Sequence, residues 1–183
     1  MTHEEALEIL HRMTTSDSLL RHARTVELVM TAYARKLGED EHKWALAGLL
    51  HDADYQAYPD QHPNVIVQLL RERGEQEVAH AVSAHYTHWG VPYETTLDKA
   101  LLACDELTGF VVACAQVRPQ RLDGLEVKSV VKKLGQKSFA ASVDREEVRQ
   151  GAALFGVDLN EHIAFIIKVL QAHQDELQLQ PLA

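Results

Sequence analysis

The stretch from Trp44 to Leu50 constrains the fold most, because it is apolar on nearly every side. Asp40, which is a good helix N-cap residue, precedes it, and His51 and Asp52 follow it directly. A helix that is apolar all round is stable in water only when other elements cover it. We therefore predict a buried helix here, whose end carries a histidine and an aspartate into the interior.

Capping and stop signals divide the rest of the chain into further helices. Thr2 and Glu5 have capping-box spacing, Gly38 is a typical helix stop, and a long helix capped by Thr95 ends before Pro119. Similar signals predict three short helices beyond residue 125. No convincing strand pattern or internal repeat interrupts them. The predicted fold class is all-α, with about eight or nine helices.

Length and composition agree with one helical domain. The chain has 183 residues, enough for one full hydrophobic core, and only 6% of them are aromatic. Alanine and leucine dominate, which favours helix over sheet. We predict a single domain over residues 1–183, with a core over about 18–115 and a C-terminal helical extension over about 118–183.

Charge and targeting signals exclude several classes of function. The formal net charge of −9 disfavours binding to a nucleic-acid backbone, although metal charge can still attract a small anionic substrate. The N-terminus has no signal-peptide layout, and no apolar run reaches the roughly 18 residues that span a bilayer. Cys104 and Cys114 lie ten residues apart on one predicted helix, too far for a disulfide. We expect a cytoplasmic protein with no nucleic-acid or membrane partner.

Helix phase directs several titratable side chains inward. His22 shares a helix face with Leu19 and Val26, and His85 and Asp105 also lie on apolar stripes. A buried carboxylate is costly unless it is paired or binds a metal. Each residue alone could be an ordinary core residue, but together with His51 and Asp52 they predict a metal site. A nucleophile elbow, a phosphate-binding glycine loop and a complete calcium loop after Asp52 are all missing.

The order His22, His51-Asp52, Asp105 resembles the H…HD…D signature of the HD-domain superfamily. Most characterised members are metal-dependent phosphohydrolases built on a helical bundle. The resemblance covers about residues 18–115 and implies an HD-domain helical bundle for this chain. The sequence CDELTG around Asp105, and the later VKSVVKKLGQKSFAASV, are similar to an uncharacterised bacterial branch of predicted hydrolases.

The resemblance also implies a ligand set and a reaction. Two-metal members carry additional histidines, and His62 and His85 occupy the corresponding places, although His62 could also be a solvated helix-entry residue. The implied metal ligands are His22, His51, Asp52, His62, His85 and Asp105. The expected chemistry is attack of a metal-activated hydroxide on phosphorus, with Asp52 and His51 as catalytic residues. Imidazole and carboxylate ligands suit one or two divalent ions of Fe, Mn, Zn, Co or Ni per chain.

The expected substrate is a small phosphorylated molecule, by resemblance a nucleotide. Lys128 and Lys132 are one helical turn apart in an acidic chain, and we interpret them as candidate phosphate-binding residues. The alternative is a solvated basic helix face. His88 is a further candidate for substrate contact.

Two other functions remain open at this point. HD-type diiron oxygenases use a similar ligand set, so the ligands alone do not separate hydrolysis from oxygenation. A regulatory module would bind metal or nucleotide without turnover. The sequence leaves the substrate, the metal, its number and the oligomeric state undetermined.

Overall fold

A computed structural model describes residues 1–182 of the protein. Within them the backbone forms nine α-helices and one short 3₁₀ helix, and no strand. The helices are α1 (His3–Met13), α2 (Asp17–Leu37), α3 (Glu41–Leu50), α4 (Asn64–Glu72), α5 (Gln76–His85), the 3₁₀ helix η1 (Thr87–Trp89), α6 (Thr96–Gln116), α7 (Val127–Leu134), α8 (Arg145–Phe155) and α9 (Leu159–Ala172). The predicted all-α fold class is confirmed.

The helix ends follow the predicted capping chemistry. Thr2 and Glu5 form a complete capping box at α1. The Asp40 side chain accepts a hydrogen bond from the amide of Lys43 at the start of α3. Gly38 ends α2 with φ = 73°, a left-handed conformation that glycine adopts without steric cost. Local signals therefore determine where these helices begin and end.

The chain divides into two compact units, Met1–Leu102 and the residues from Ala103 onward. The division falls within α6, earlier than the boundary near residue 118 that we predict between core and extension. The single-domain organisation over residues 1–183 stays a prediction.

In the first unit, α3 is the central helix and packs against α1, α2 and α5. Every residue from Trp44 to Leu50 is buried, as the apolar pattern predicts. A Cβ atom at Gly48 would lie only 2.7 Å from the Cα of Glu27 on α2. Glycine therefore permits the close approach of α2 and α3, which brings the end of α3 next to the middle of α2.

In the second unit, α9 packs against α7 and α8. His162 on α9 is buried and its Nε2–H donates to the carbonyl oxygen of Ala103 at 2.8 Å. Cys104 and Cys114 are buried free thiols, which confirms that they form no disulfide. Across residues 1–182, no helix combines the length and apolarity needed to cross a bilayer.

Candidate metal centre

The end of α3 presents the His51-Asp52 pair to the interior of the first unit. His51 is fully buried, and its Nδ1–H donates to the carbonyl oxygen of Gly48 at 2.7 Å. This bond fixes the ring orientation and directs the Nε2 atom at the site. Asp52 lies beside it, with its Oδ2 atom 3.4 Å from His51 Nε2.

Helix α2 contributes His22 to the same place. Its Nε2 atom lies 3.1 Å from the Nε2 atom of His51 and 3.8 Å from Asp52 Oδ2. The His22 side chain is 21% exposed, so it lies at the edge of the core, on the inward face that its helical phase predicts. Ligand atoms of His22, His51 and Asp52 all fall within 4.8 Å of one another, close enough to bind one metal ion.

His62 and His85 approach the other carboxylate oxygen of Asp52. Their Nε2 atoms lie 3.3 Å and 3.4 Å from Asp52 Oδ1. His85 ends α5, and its Nδ1–H donates to the carbonyl oxygen of Val82. His62 precedes α4 and has a side chain only 7% exposed, so it is not a solvated helix-entry residue. Asp52, His62 and His85 thus form a second group with metal-binding geometry.

Asp54 orients His62, a contact that the sequence analysis missed. The Asp54 side chain is fully buried, and its Oδ1 accepts the Nδ1–H of His62 at 2.7 Å. Its Oδ2 accepts the amide of Ile66 at 2.9 Å, which ties it to the first turn of α4. The sequence signal for this contact is a second aspartate two residues after Asp52.

The donor set fits a metal cation. His51, His62 and His85 each use Nδ1–H in another hydrogen bond, so each ring directs its Nε2 atom toward Asp52. A lone pair facing a carboxylate oxygen at 3.3–3.4 Å is repulsive unless a proton or a metal cation lies between the two. Imidazole nitrogen with carboxylate oxygen is the ligand chemistry of Zn, Fe, Mn, Co and Ni.

The carboxylate of Asp52 is held in its ionised form. Burial would raise its pKa, but the charge and hydrogen bond of His51, with those of His85, outweigh it and hold the pKa well below the usual range. The side chain is still 26% exposed, so one side of the centre is open to solvent. An ionised carboxylate with four imidazoles around it is well suited to be a ligand that two metal ions share.

The other predicted site residues lie in different surroundings. Asp105 is half-buried on the part of α6 that belongs to the second unit, and its charge adds to the effect of burial in raising the pKa of Cys104. Lys128 is 81% exposed and pairs with Glu126 at 2.7 Å, and Lys132 is exposed on α7. His88 is exposed on η1, with its ring 5.2 Å from that of Tyr86. The roles of these four residues stay predictions.

Residues 19–109 match the model of the HD domain family. This segment contains His22, His51, Asp52, His62, His85 and Asp105. The chain therefore carries an HD domain and belongs to the HD-domain superfamily of metal-dependent phosphohydrolases.

Three curated relatives overlap part of the chain. Ribonuclease Y of Oleidesulfovibrio alaskensis is 31% identical over 115 residues, and Ribonuclease Y of Syntrophobacter fumaroxidans is 32% identical over 115 residues. Ribonuclease Y of Lawsonia intracellularis is 34% identical over 116 residues. Each match covers 58% of this chain but only 22% of the relative's length. No solved structure matches the chain.

Proposed function

We propose that this protein is a metal-dependent phosphohydrolase that cleaves a phosphoester or phosphoanhydride bond in a small phosphorylated substrate of the nucleotide class. The observation that carries the proposal is the convergence of four histidine Nε2 atoms on the two carboxylate oxygens of Asp52, at 3.3–3.8 Å. Two groups of donors that share one carboxylate suit a pair of metal ions.

The ligand roles divide between the two oxygens of Asp52. His22 and His51 lie on the Oδ2 side and, with Asp52 itself and with Asp105 as the ligand that the family resemblance implies, would hold one ion. His62 and His85 lie on the Oδ1 side and would hold the other. Divalent ions held there supply charge that lowers the pKa of a water and neutralises phosphate oxygens.

The protein's own residues supply preorganisation. The carbonyl oxygens of Gly48 and Val82 and the carboxylate of Asp54 each accept an Nδ1–H, so three imidazole rings are oriented before any ligand arrives. Asp52 is ionised, so no proton has to leave it when a cation binds. The phosphate group would enter on the exposed side of Asp52, and His51 and Asp52 are the proposed catalytic residues there, as ligands that would hold the ions.

Metal content tests the ligand assignment. We expect about two transition-metal equivalents per chain in the wild type by elemental analysis, and about one in His62→Ala. His11→Ala is the matched control, because His11 is exposed on α1. One equivalent in all three proteins would restrict the site to a single metal and make His62 an orienting residue.

Phosphate release tests the reaction. Nucleoside mono-, di- and triphosphates should yield inorganic phosphate or pyrophosphate with the wild type, and Asp52→Ala should lose both activity and metal. Full activity and metal content in that variant would overturn the assignment. Oxygen consumption by an iron-loaded sample would instead favour the diiron oxygenase alternative.

A second candidate is hydrolysis of RNA phosphodiesters, which the three Ribonuclease Y relatives favour. Against it stands the net charge of −9, which opposes binding of a long polyanion. A labelled RNA oligonucleotide assayed beside the nucleotides separates the two. Preferential cleavage of the oligonucleotide would replace the small-substrate proposal and contradict the expected absence of a nucleic-acid partner.

A further inference from the structure

Exposed aromatic side chains lie on the two chain segments next to residues of the metal centre. Tyr55, Tyr58 and Trp89 are 50%, 42% and 40% exposed. Tyr55 and Tyr58 lie in the segment between α3 and α4, which also carries Asp52 and His62, and Trp89 lies in η1, just after His85. By contrast, Trp44 and Phe110 are completely or almost completely buried. Large aromatic side chains are therefore exposed to solvent on the segment between α3 and α4 and on η1.

Ring contacts connect these aromatic residues to a proposed metal ligand. The His62 ring has Tyr55 and Tyr86 as neighbours, each with ring centroids 5.4 Å away and nearly perpendicular planes. Tyr86 in turn contacts Trp89, at 5.9 Å and 89°. A continuous series of rings therefore runs from the metal centre to the exposed indole. We call Tyr55, Tyr86 and Trp89 the aromatic rim.

We infer that the aromatic rim binds the base of a nucleotide substrate, with Trp89 as the stacking surface, while the phosphate lies at the metal centre. Planar nucleobases stack on aromatic side chains, and this stacking depends little on which base is bound. The Trp89 indole is separated from the His62 ring by one intervening ring, that of Tyr86. In a nucleotide the base is likewise separated from the phosphate, by the sugar. Since this inference rests on the phosphohydrolase function proposed above, the experiment must separate base binding from hydrolysis.

Tryptophan fluorescence reports base binding directly. The chain has two tryptophans, and Trp44 is only 2% exposed. In Trp44→Phe, Trp89 is the sole indole. We expect a non-hydrolysable phosphonate analogue of AMP to quench its emission in the metal-loaded protein, and inorganic phosphate to leave it unchanged. The absence of quenching at saturation, with binding verified by calorimetry, would overturn the inference.

Affinity and kinetics give an independent readout. We expect Trp89→Leu to weaken binding of the AMP analogue and to raise KM for AMP by about tenfold, the usual scale for one lost base stack. The KM for ribose 5-phosphate, which has no base, should not change. Tyr58→Leu is the control, since Tyr58 is an exposed aromatic outside the rim. An equal change for both substrates would overturn the inference, because it would report a general disturbance of the site.

The two proposals can fail separately. Hydrolysis of AMP and ribose 5-phosphate with no effect of Trp89→Leu would leave the phosphohydrolase standing and remove the base site. Base-specific quenching without hydrolysis of any phosphate ester would retain the base site and remove the catalytic function. Failure of both tests would overturn both proposals.

Discussion

The Nδ1 atom of His62 donates a hydrogen bond to Oδ1 of Asp54 at 2.7 Å, and Asp54 is completely buried. A carboxylate behind an imidazole fixes its tautomer and its orientation, and here it directs Nε2 toward Asp52. Asp54 also accepts the amide of Ile66, so it connects the centre to the start of α4. His62 therefore owes its orientation to Asp54, eight positions earlier in the sequence, which is itself held by the amide of Ile66.

Replacement of Asp54 tests this support. Asp54→Asn retains the shape of the side chain but removes the charge that favours the Nδ1–H tautomer of His62. We expect metal affinity at the Asp52, His62, His85 group to fall by about 10–100-fold. Competition with a chromophoric chelator measures it, and Asp60→Asn, an exposed change in the same segment, is the control. Equal affinities in both variants would show that Asp54 only anchors α4.

Replacement of Gly48 tests whether the close approach of α2 and α3 positions the end of α3. An alanine Cβ there would lie 2.7 Å from Glu27 Cα, which cannot be accommodated unless the helices separate. We expect Gly48→Ala to lower the free energy of unfolding by about 1–3 kcal/mol and to weaken metal binding, because His51 hydrogen-bonds the Gly48 carbonyl.

Urea denaturation measures the effect of Gly48→Ala. The matched control is Gly135→Ala, where the backbone is helical and the nearest atom to a new Cβ is Lys132 O at 3.4 Å. If both substitutions lowered the free energy of unfolding by the same small amount, the end of α3 would not depend on tight packing at Gly48.

We expect His162 to make the free energy of unfolding depend on pH. Burial lowers its pKa, more than the hydrogen bond to the Ala103 carbonyl raises it. The unfolded chain therefore binds a proton near pH 6.5 that the folded state binds only at lower pH. The stability that neutral His162 contributes is fully present above about pH 6.5 and is lost as the pH falls through the lowered pKa.

Thermal denaturation between pH 5 and pH 8 checks this dependence. His162→Gln retains a hydrogen-bond donor without the titration, so its stability should fall less steeply below pH 6.5 than that of the wild type. His11→Gln, at an exposed position on α1, should follow the wild type. Parallel curves for all three proteins would exclude His162 as the source.

The predicted phosphate role of Lys128 and Lys132 is tested by removing their charge. Lys128→Met with Lys132→Met should raise KM for a phosphorylated substrate if these residues bind its phosphate. Lys36→Met, an exposed change on α2, is the control. An unchanged KM would leave α7 as a solvated basic face, in keeping with the exposed ion pair between Lys128 and Glu126.

Local sequence signals accounted for much of the fold. Several helix starts and stops depend on residues within a few positions, such as Thr2 with Glu5 or Gly38 after Leu37, so capping patterns predicted these helix ends well. Helix phase likewise placed His22 and His85 on inward faces, because phase is a property of one helix. Only the residue order shared with the HD-domain superfamily indicated which inward residues belong together.

By itself the sequence determined the all-helical class, the buried helix that ends at His51-Asp52, and the candidate ligands. The tertiary structure decided how the ligands meet, because it divides four imidazoles between the two oxygens of Asp52. It also places Asp54 where it orients His62. Tyr86 and Trp89 continue the ring contacts outward from that histidine. The reason is physical. Periodicity and capping act along one helix, whereas the distance between side chains on different helices depends on packing, and a close approach such as that at Gly48 is visible only once the helices are in contact.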